Sequence, residues 1–275
     1  MRAGEIGDGE GAGPECVPAA QPLGCLLLHG LGGRPYELGR LPEALREAGY
    51  LVNAPVLPGH EGPGPRMPDS RWEDWLATTR RAYEGLVTSA GRPAVVVGFS
   101  TGGTLGLRLA LEERLAGLVL LAPFLAIRYS GLVPLRPVSY LRRLARVVPQ
   151  LPRRPPAVRD AEMRRWAAGQ DPFKTFSLGA TISALELIEV VTPRVGEIAV
   201  PCLIQQGKLD TVVEPANAAW LHNHLGSARK RLAWYARSDH LLALDRQRSE
   251  VESDLLGFLA SLARPPGRDA KGAVA

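Results

Sequence analysis

The sequence has no uninterrupted apolar run of about 18 residues, the length a membrane-crossing helix requires. It also lacks the apolar stretch of a secretory signal near its start: residues 1–22 mix Arg2 with Glu5, Asp8, Glu10 and Glu15 among glycines. A cytoplasmic location is therefore expected. Cysteine is scarce, and Cys16, Cys25 and Cys202 make neither an even disulfide framework nor a close-spaced metal pair, so they read as reduced thiols. There is no H-E-x-x-H, no paired Cys/His spacing and no Asp-rich calcium loop, so no metal and no organic cofactor is expected. The formal charge is +5 and the isoelectric point near 9.4, yet no run of five or more Lys/Arg accompanies them, which argues against nucleic acid as a partner. No internal repeat of solenoid length is present.

What is there is a globular composition: 275 residues, 45% hydrophobic and 22% charged. A chain of about this length buries roughly three quarters of its unfolded surface and needs no disulfide staples. Residues 1–22 and 264–275 are rich in Gly, Pro and Ala and read as loose tails, leaving a folded body over 23–263. Within it, short apolar runs at Gly24–Leu28, Tyr50–Val56, Ala94–Gly98, Gly117–Leu121, Pro201–Gln205 and Arg231–Tyr235 alternate with helix-compatible segments. Those segments are Pro35–Ala48, Arg71–Leu86, Thr101–Glu113, Pro215–Leu225 and Gln247–Leu262. Several of the runs are apolar at successive positions, as strands buried on both faces must be. The expected fold is α/β, a mostly parallel twisted sheet flanked by helices.

The alternation breaks over 124–197, a stretch too long for a structureless loop and read as an inserted helical lid. Between Phe124 and Thr175 eleven basic residues face three acidic ones, a net +8 that leaves the rest of the chain at −3. Three readings of this excess stay open: arginines solvated on amphipathic helices such as Tyr140–Val148, transient contact with anionic lipid surfaces, or recognition of an anionic leaving group. Leu132, Val133, Leu135, Leu141, Leu144, Val147 and Val148 would line an acyl channel if they face the site, and would be plain core if they face the sheet.

Gly98-Phe-Ser-Thr-Gly102 is a G-x-S-x-G pentapeptide entered by an all-apolar strand and left by a helical segment. That context lifts a serine hydroxyl above the C-terminal edge of a sheet, which makes Ser100 the candidate nucleophile. A serine needs a base. His240 follows the last strand and can reach that edge, whereas His29 and His60 belong to other loops and His222 and His224 to a helix. For the group that orients the imidazole, Asp210 closes the loop after the preceding strand; Asp239 is the rival, and Asp160 and Asp171 lie in the insertion. The glycines of Leu26-Leu-Leu-His-Gly-Leu-Gly-Gly33 allow backbone N–H groups to turn inward, so the candidate oxyanion donors are the N–H of Leu31 and that of Thr101. The same loop lacks the G-x-G-x-x-G spacing of a dinucleotide site.

Taken together, Leu26–Gly33, Ala54-Pro-Val-Leu-Pro-Gly-His60, Trp72-Glu-Asp-Trp75, Gly98–Gly103 and Ser238-Asp-His-Leu-Leu-Ala-Leu-Asp245 resemble the monoacylglycerol lipase and carboxylesterase branch of the α/β-hydrolase superfamily. The resemblance spans about Leu23 to Leu262. It implies hydrolysis of a small-molecule carboxylic ester through an acyl-enzyme, with a lid between the sixth and seventh core strands. It maps the nucleophile onto Ser100, the acid onto Asp210, the base onto His240 and the oxyanion donors onto Leu31 and Thr101. A thioesterase, an acyltransferase or a serine aminopeptidase would use the same triad, and the intact Ser, Asp, His set argues against a non-catalytic binding protein of this fold, which has no need for all three.

Overall fold

The structure is a computed structural model that describes residues 22–126 and 137–262. The tails apart from Pro22, and with them Cys16, lie outside those residues, as do Arg128, Leu132, Val133, Leu135 and Arg136.

Six strands form one sheet in the order β2-β1-β3-β4-β7-β8, and every pairing in it is parallel. They are β1 (Gly24–Leu28), β2 (Leu51–Asn53), β3 (Val95–Phe99), β4 (Gly117–Leu121), β7 (Cys202–Gly207) and β8 (Lys230–Tyr235). The four inner strands are buried at every residue, so their uninterrupted apolar runs reflect covering on both faces. Cys25 and Cys202 sit in this core, where burial pushes the Cys25 thiol up to about 12 and the Cys202 thiol further. β2 and β8 are edges. β2 stops before Pro55, shorter than the run Tyr50–Val56 suggests, because proline offers no N–H to extend a ladder.

The helices between strands are α1 (Leu41–Glu47), α2 (Trp72–Ala90), α3 (Thr101–Ala110), α7 (Ala216–His224) and α8 (Arg248–Leu262). The segment Pro35–Ala48 is not one helix. It splits into a 3-10 turn, Pro35–Leu38, and α1, because Gly39 adopts φ +54° where the carbonyl of Ala243 leaves no room for a side chain. α2 runs past Leu86 to Ala90, and a left-handed Gly91 ends it.

The insertion follows the fourth of the six sheet strands in chain order, not the sixth; no strand precedes β1 among the described residues. It contains α4 (Pro137–Ala145), β5 (Gln150–Pro152), α5 (Ala161–Gln170), β6 (Thr175–Ser177), α6 (Leu178–Val191) and a 3-10 turn, with β5 and β6 antiparallel. Asp160 caps α5 by accepting from the N–H groups of Glu162 and Met163, and Ser177 caps α6 by accepting from Ala180. α6 is buried nearly all round, between α4 on one side and α2 and α3 on the other. Leu141 packs against the core, whereas Val147 is 81% exposed and lines neither core nor channel.

Candidate active site

β3 runs straight into α3 through Ser100, whose backbone stands at φ 53°, ψ −118°. A non-glycine residue there costs on the order of 1–3 kcal/mol and persists only where the surroundings enforce it. They do: Ser100 N donates to Leu121 O on β4, and Ser100 O accepts from Gly103, Thr104 and Phe124. Side chains at the flanking glycines would collide, at Gly98 with the carbonyl of Gly102 and at Gly102 with that of Leu28. The turn thus needs its glycines for close approach.

His240 comes from the loop after β8 and Asp210 from the loop after β7, so two neighbouring strand ends bring both to Ser100. His240 Nε2 lies 3.1 Å from Ser100 Oγ, and His240 Nδ1 lies 2.9 Å from Asp210 Oδ2. A carboxylate only accepts, so Nδ1 carries the proton and Nε2 is left to accept from the serine hydroxyl. Asp210 Oδ1 accepts from the N–H groups of Val212 and Val213, both at 2.8 Å, and Oδ2 from Gln206 Nε2 at 2.9 Å. All three side chains are buried. Burial alone would raise the Asp210 carboxyl, but the His240 imidazole and the backbone donors outweigh it and hold the group below its ordinary range. For His240, burial pulls down while the charge and hydrogen bond of Asp210, then Glu37 and Asp239, pull up; the net direction is up.

The Asp239 carboxylate is engaged away from the His240 ring. Its Oδ1 accepts from Thr211 N and Oγ1 and from His240 N, and its Oδ2 pairs with Arg159 Nε at 3.0 Å. Asp160 pairs with Arg248 and Asp171 with Arg153, and neither meets His240. The remaining histidines are engaged elsewhere. His29 Nε2 accepts from Leu57 N and His60 Nδ1 donates to Pro58 O, while His222 and His224 lie on α7. Burial, with His60 beside it, pushes the His29 imidazole down to about 3.

The N–H of Thr101 opens α3, where the first helical N–H groups have no intrahelical acceptor and the helix dipole is positive. The N–H of Leu31 lies in the turn after β1. Neither N–H is engaged by another group among the described residues.

Three contributors were not legible in the pattern of residues. Asp245, inside the Ser238–Asp245 motif, is buried; its Oδ1 accepts from the N–H groups of Arg159, Asp160 and Arg246 and its Oδ2 from Asp239 N, so it ties the His240 loop to the insertion. Arg153 and Glu37 both touch the loop that carries Leu31: Arg153 Nη1 donates to Gly32 O at 2.6 Å and Glu37 Oε2 accepts from Gly30 N at 2.8 Å. Nothing in the sequence marks Glu37, since an acidic residue in the first turn of a helix is ordinary. Among the described residues no group of three or more His, Cys, Asp or Glu could hold a metal.

A parallel sheet with helices on both faces, a strained serine at a strand-to-helix turn, and histidine and aspartate on the two following strand ends define an α/β-hydrolase. The family model described as serine aminopeptidase, S33, matches residues 22–247, and the chain belongs to that family. It is 27% identical over 237 residues to a carboxylesterase of Bacillus subtilis (strain 168), covering 86% of this chain and 92% of the relative. It is 26% identical over 242 residues to a thermostable monoacylglycerol lipase of Bacillus sp. (strain H-257), covering 87% and 91%. The solved monoacylglycerol lipase of Paleococcus ferrophilus superimposes with a TM-score of 0.76 at 23% identity, over 89% of this chain and 97% of that one, a likeness of fold.

Proposed function

We propose that this chain is a serine esterase that hydrolyses small-molecule carboxylic esters, with Ser100 as nucleophile, His240 as base, Asp210 as the orienting acid, and the N–H groups of Leu31 and Thr101 as oxyanion donors. The observation that carries the reading is the pair of hydrogen bonds from Ser100 through His240 to Asp210, centred on a serine whose backbone is held in a strained conformation. The carboxylesterase and monoacylglycerol lipase relatives support it.

In the first half-reaction Ser100 Oγ bonds to the acyl carbon as its proton passes to His240 Nε2, and Asp210 stabilises the resulting imidazolium. The carbonyl oxygen becomes an anion beside the two N–H donors, one of which contributes roughly 3–4 kcal/mol of transition-state stabilisation. Collapse breaks the bond to the alcohol oxygen, which takes the proton from His240. Water then gives its proton to His240, attacks the acyl carbon and releases the acid, and Ser100 recovers its proton. The insertion over 124–197 acts as a lid whose Arg153 reaches the oxyanion loop.

The family's description brings forward a second reading, cleavage of an amino-terminal peptide bond by the same triad. Such an enzyme must hold a substrate ammonium with a carboxylate. The acidic groups near the site are already engaged, Glu37 by Gly30 N, Asp171 by Arg153 and Asp239 by Arg159, which favours the neutral ester.

Hydrolysis of p-nitrophenyl esters from acetate to palmitate, with amino-acyl p-nitroanilides in parallel, tests the proposal. Ester turnover with a chain-length optimum, absent in Ser100→Ala, is the expected result. Anilide turnover with inert esters would replace it with the peptidase reading.

A further inference from the structure

The peptide unit that presents the Leu31 N–H also contains the carbonyl of Gly30, and because that unit is planar and trans, fixing one group aims the other. Gly30 O accepts from His29 Nδ1 at 2.9 Å and from Gly33 N at 3.3 Å. The unit before it and the unit two further along the loop are held by charged side chains. Glu37, only 6% exposed, accepts from Gly30 N, and Arg153 donates to Gly32 O. Arg153 is held in turn by Asp171 at 2.7 Å, to which Tyr36 OH also donates at 2.5 Å, and by the face of Phe176, 5.1 Å from guanidinium carbon to ring centre. The loop is shaped to admit these groups: a side chain at Gly33 would overlap the Glu37 carboxyl, and one at Gly32, where φ is +71°, would overlap Phe176.

We propose that Glu37 and Arg153 are positioning residues for the oxyanion, setting the direction of the Leu31 N–H by holding the loop on both sides of it, at Gly30 N and at Gly32 O. The inference rests on the hydrolase reading above. A carboxylate buried beside a backbone N–H is an unfavourable way to stabilise a fold. Burial pushes Glu37 up to about 7, against the pull of Gly30 N, Arg153 and His240 and with the push of Asp171. A carboxyl raised from the ordinary range lowers stability as pH rises from that range through 7, because the folded state then holds a proton that the unfolded state has released. Glu37→Gln, which keeps an oxygen for Gly30 N, should therefore be at least as stable as wild type at pH 8.

The test is the second-order rate at which a fluorophosphonate labels Ser100, since phosphonylation uses the same donors whatever the natural substrate. Rates are compared for wild type, Glu37→Ala, Glu37→Gln and Arg153→Met, with the melting temperature of each. We expect Glu37→Ala and Arg153→Met to label about 10- to 100-fold more slowly, the size of effect a displaced donor produces, with Glu37→Gln recovering most of the loss. The acidic limb of the labelling profile should move to lower pH in Glu37→Gln, because the Glu37 charge helps hold a proton on His240. Melting temperatures that fall while labelling of the folded variants stays within two-fold of wild type would overturn the proposal and leave the hydrolase reading intact. A wild type that does not label at all would overturn both.

Discussion

The sheet and the insertion reach the same site by different means. The sheet delivers Ser100, Asp210 and His240 from the ends of β3, β7 and β8, and the backbone ladder fixes where those ends lie. The insertion contributes side chains: Arg153 on Gly32 O, and Arg159 on both Asp239 and the Leu209 carbonyl. Positions set by main-chain hydrogen bonds between buried strands resist change, whereas those set by long side chains depend on each partner being present. The arginine excess of the insertion accordingly divides. Arg153 and Arg159 turn toward the loops after β1, β7 and β8, Arg142 pairs with Glu186 of α6, and Arg146 is exposed.

Substitutions in the proposed, sheet-borne triad should have the largest effects. Ser100→Ala is expected to lower kcat for a p-nitrophenyl ester by on the order of 10^4- to 10^6-fold while the far-ultraviolet circular dichroism is unchanged. Asp210→Asn keeps the shape but disturbs the His240 tautomer, and a loss of about 10^4-fold in kcat is expected. An effect of Asp210→Asn below ten-fold would move the orienting role to another carboxylate and break the distinction drawn for the sheet.

The pH profile gives a milder test. His240 must be neutral to accept the Ser100 proton, and its pKa is raised, so kcat/KM should fall as pH drops through a midpoint above the ordinary histidine value of about 6.5. A midpoint below it would show that burial outweighs the Asp210 carboxylate.

For the insertion, Arg159→Ala removes a half-exposed guanidinium from the nearly buried Asp239, and a fall of roughly three- to ten-fold in kcat/KM is expected, as for an ion pair of about 1 kcal/mol. Wild type should lose part of that advantage at high salt. Arg146→Ala should shift stability by less than about 0.5 kcal/mol and leave hydrolysis of soluble esters unchanged. A large loss there would show that exposed arginines also serve the site.

Legibility follows the same division. The strands β1, β3, β4 and β7 stand out as unbroken apolar runs because burial on both faces demands that composition, and the turn at Ser100 stands out because close approach demands its glycines. Ser100, Asp210 and His240 were read from their places after strands, and the structure puts the three within hydrogen-bond reach of one another in a chain. The insertion could be recognised only as a break in rhythm. Its helix α6 packs into the core between α4 on one side and α2 and α3 on the other, and Val147 and Val148 face solvent, because packing partners far away in sequence decide which face of a helix is covered. Glu37 had no signal at all, since its identity as a buried acceptor depends on Gly30 folding back over it.

The order of strands and helices and the residues of the proposed triad were thus written in local pattern, where periodicity, glycine spacing and position after a strand express constraints acting within a few residues. How the loop carrying Leu31 is braced and which arginines turn inward were decided only by the tertiary structure. These are choices among chemically equivalent side chains, and only the proximity of loops separated by scores of residues distinguishes one from another.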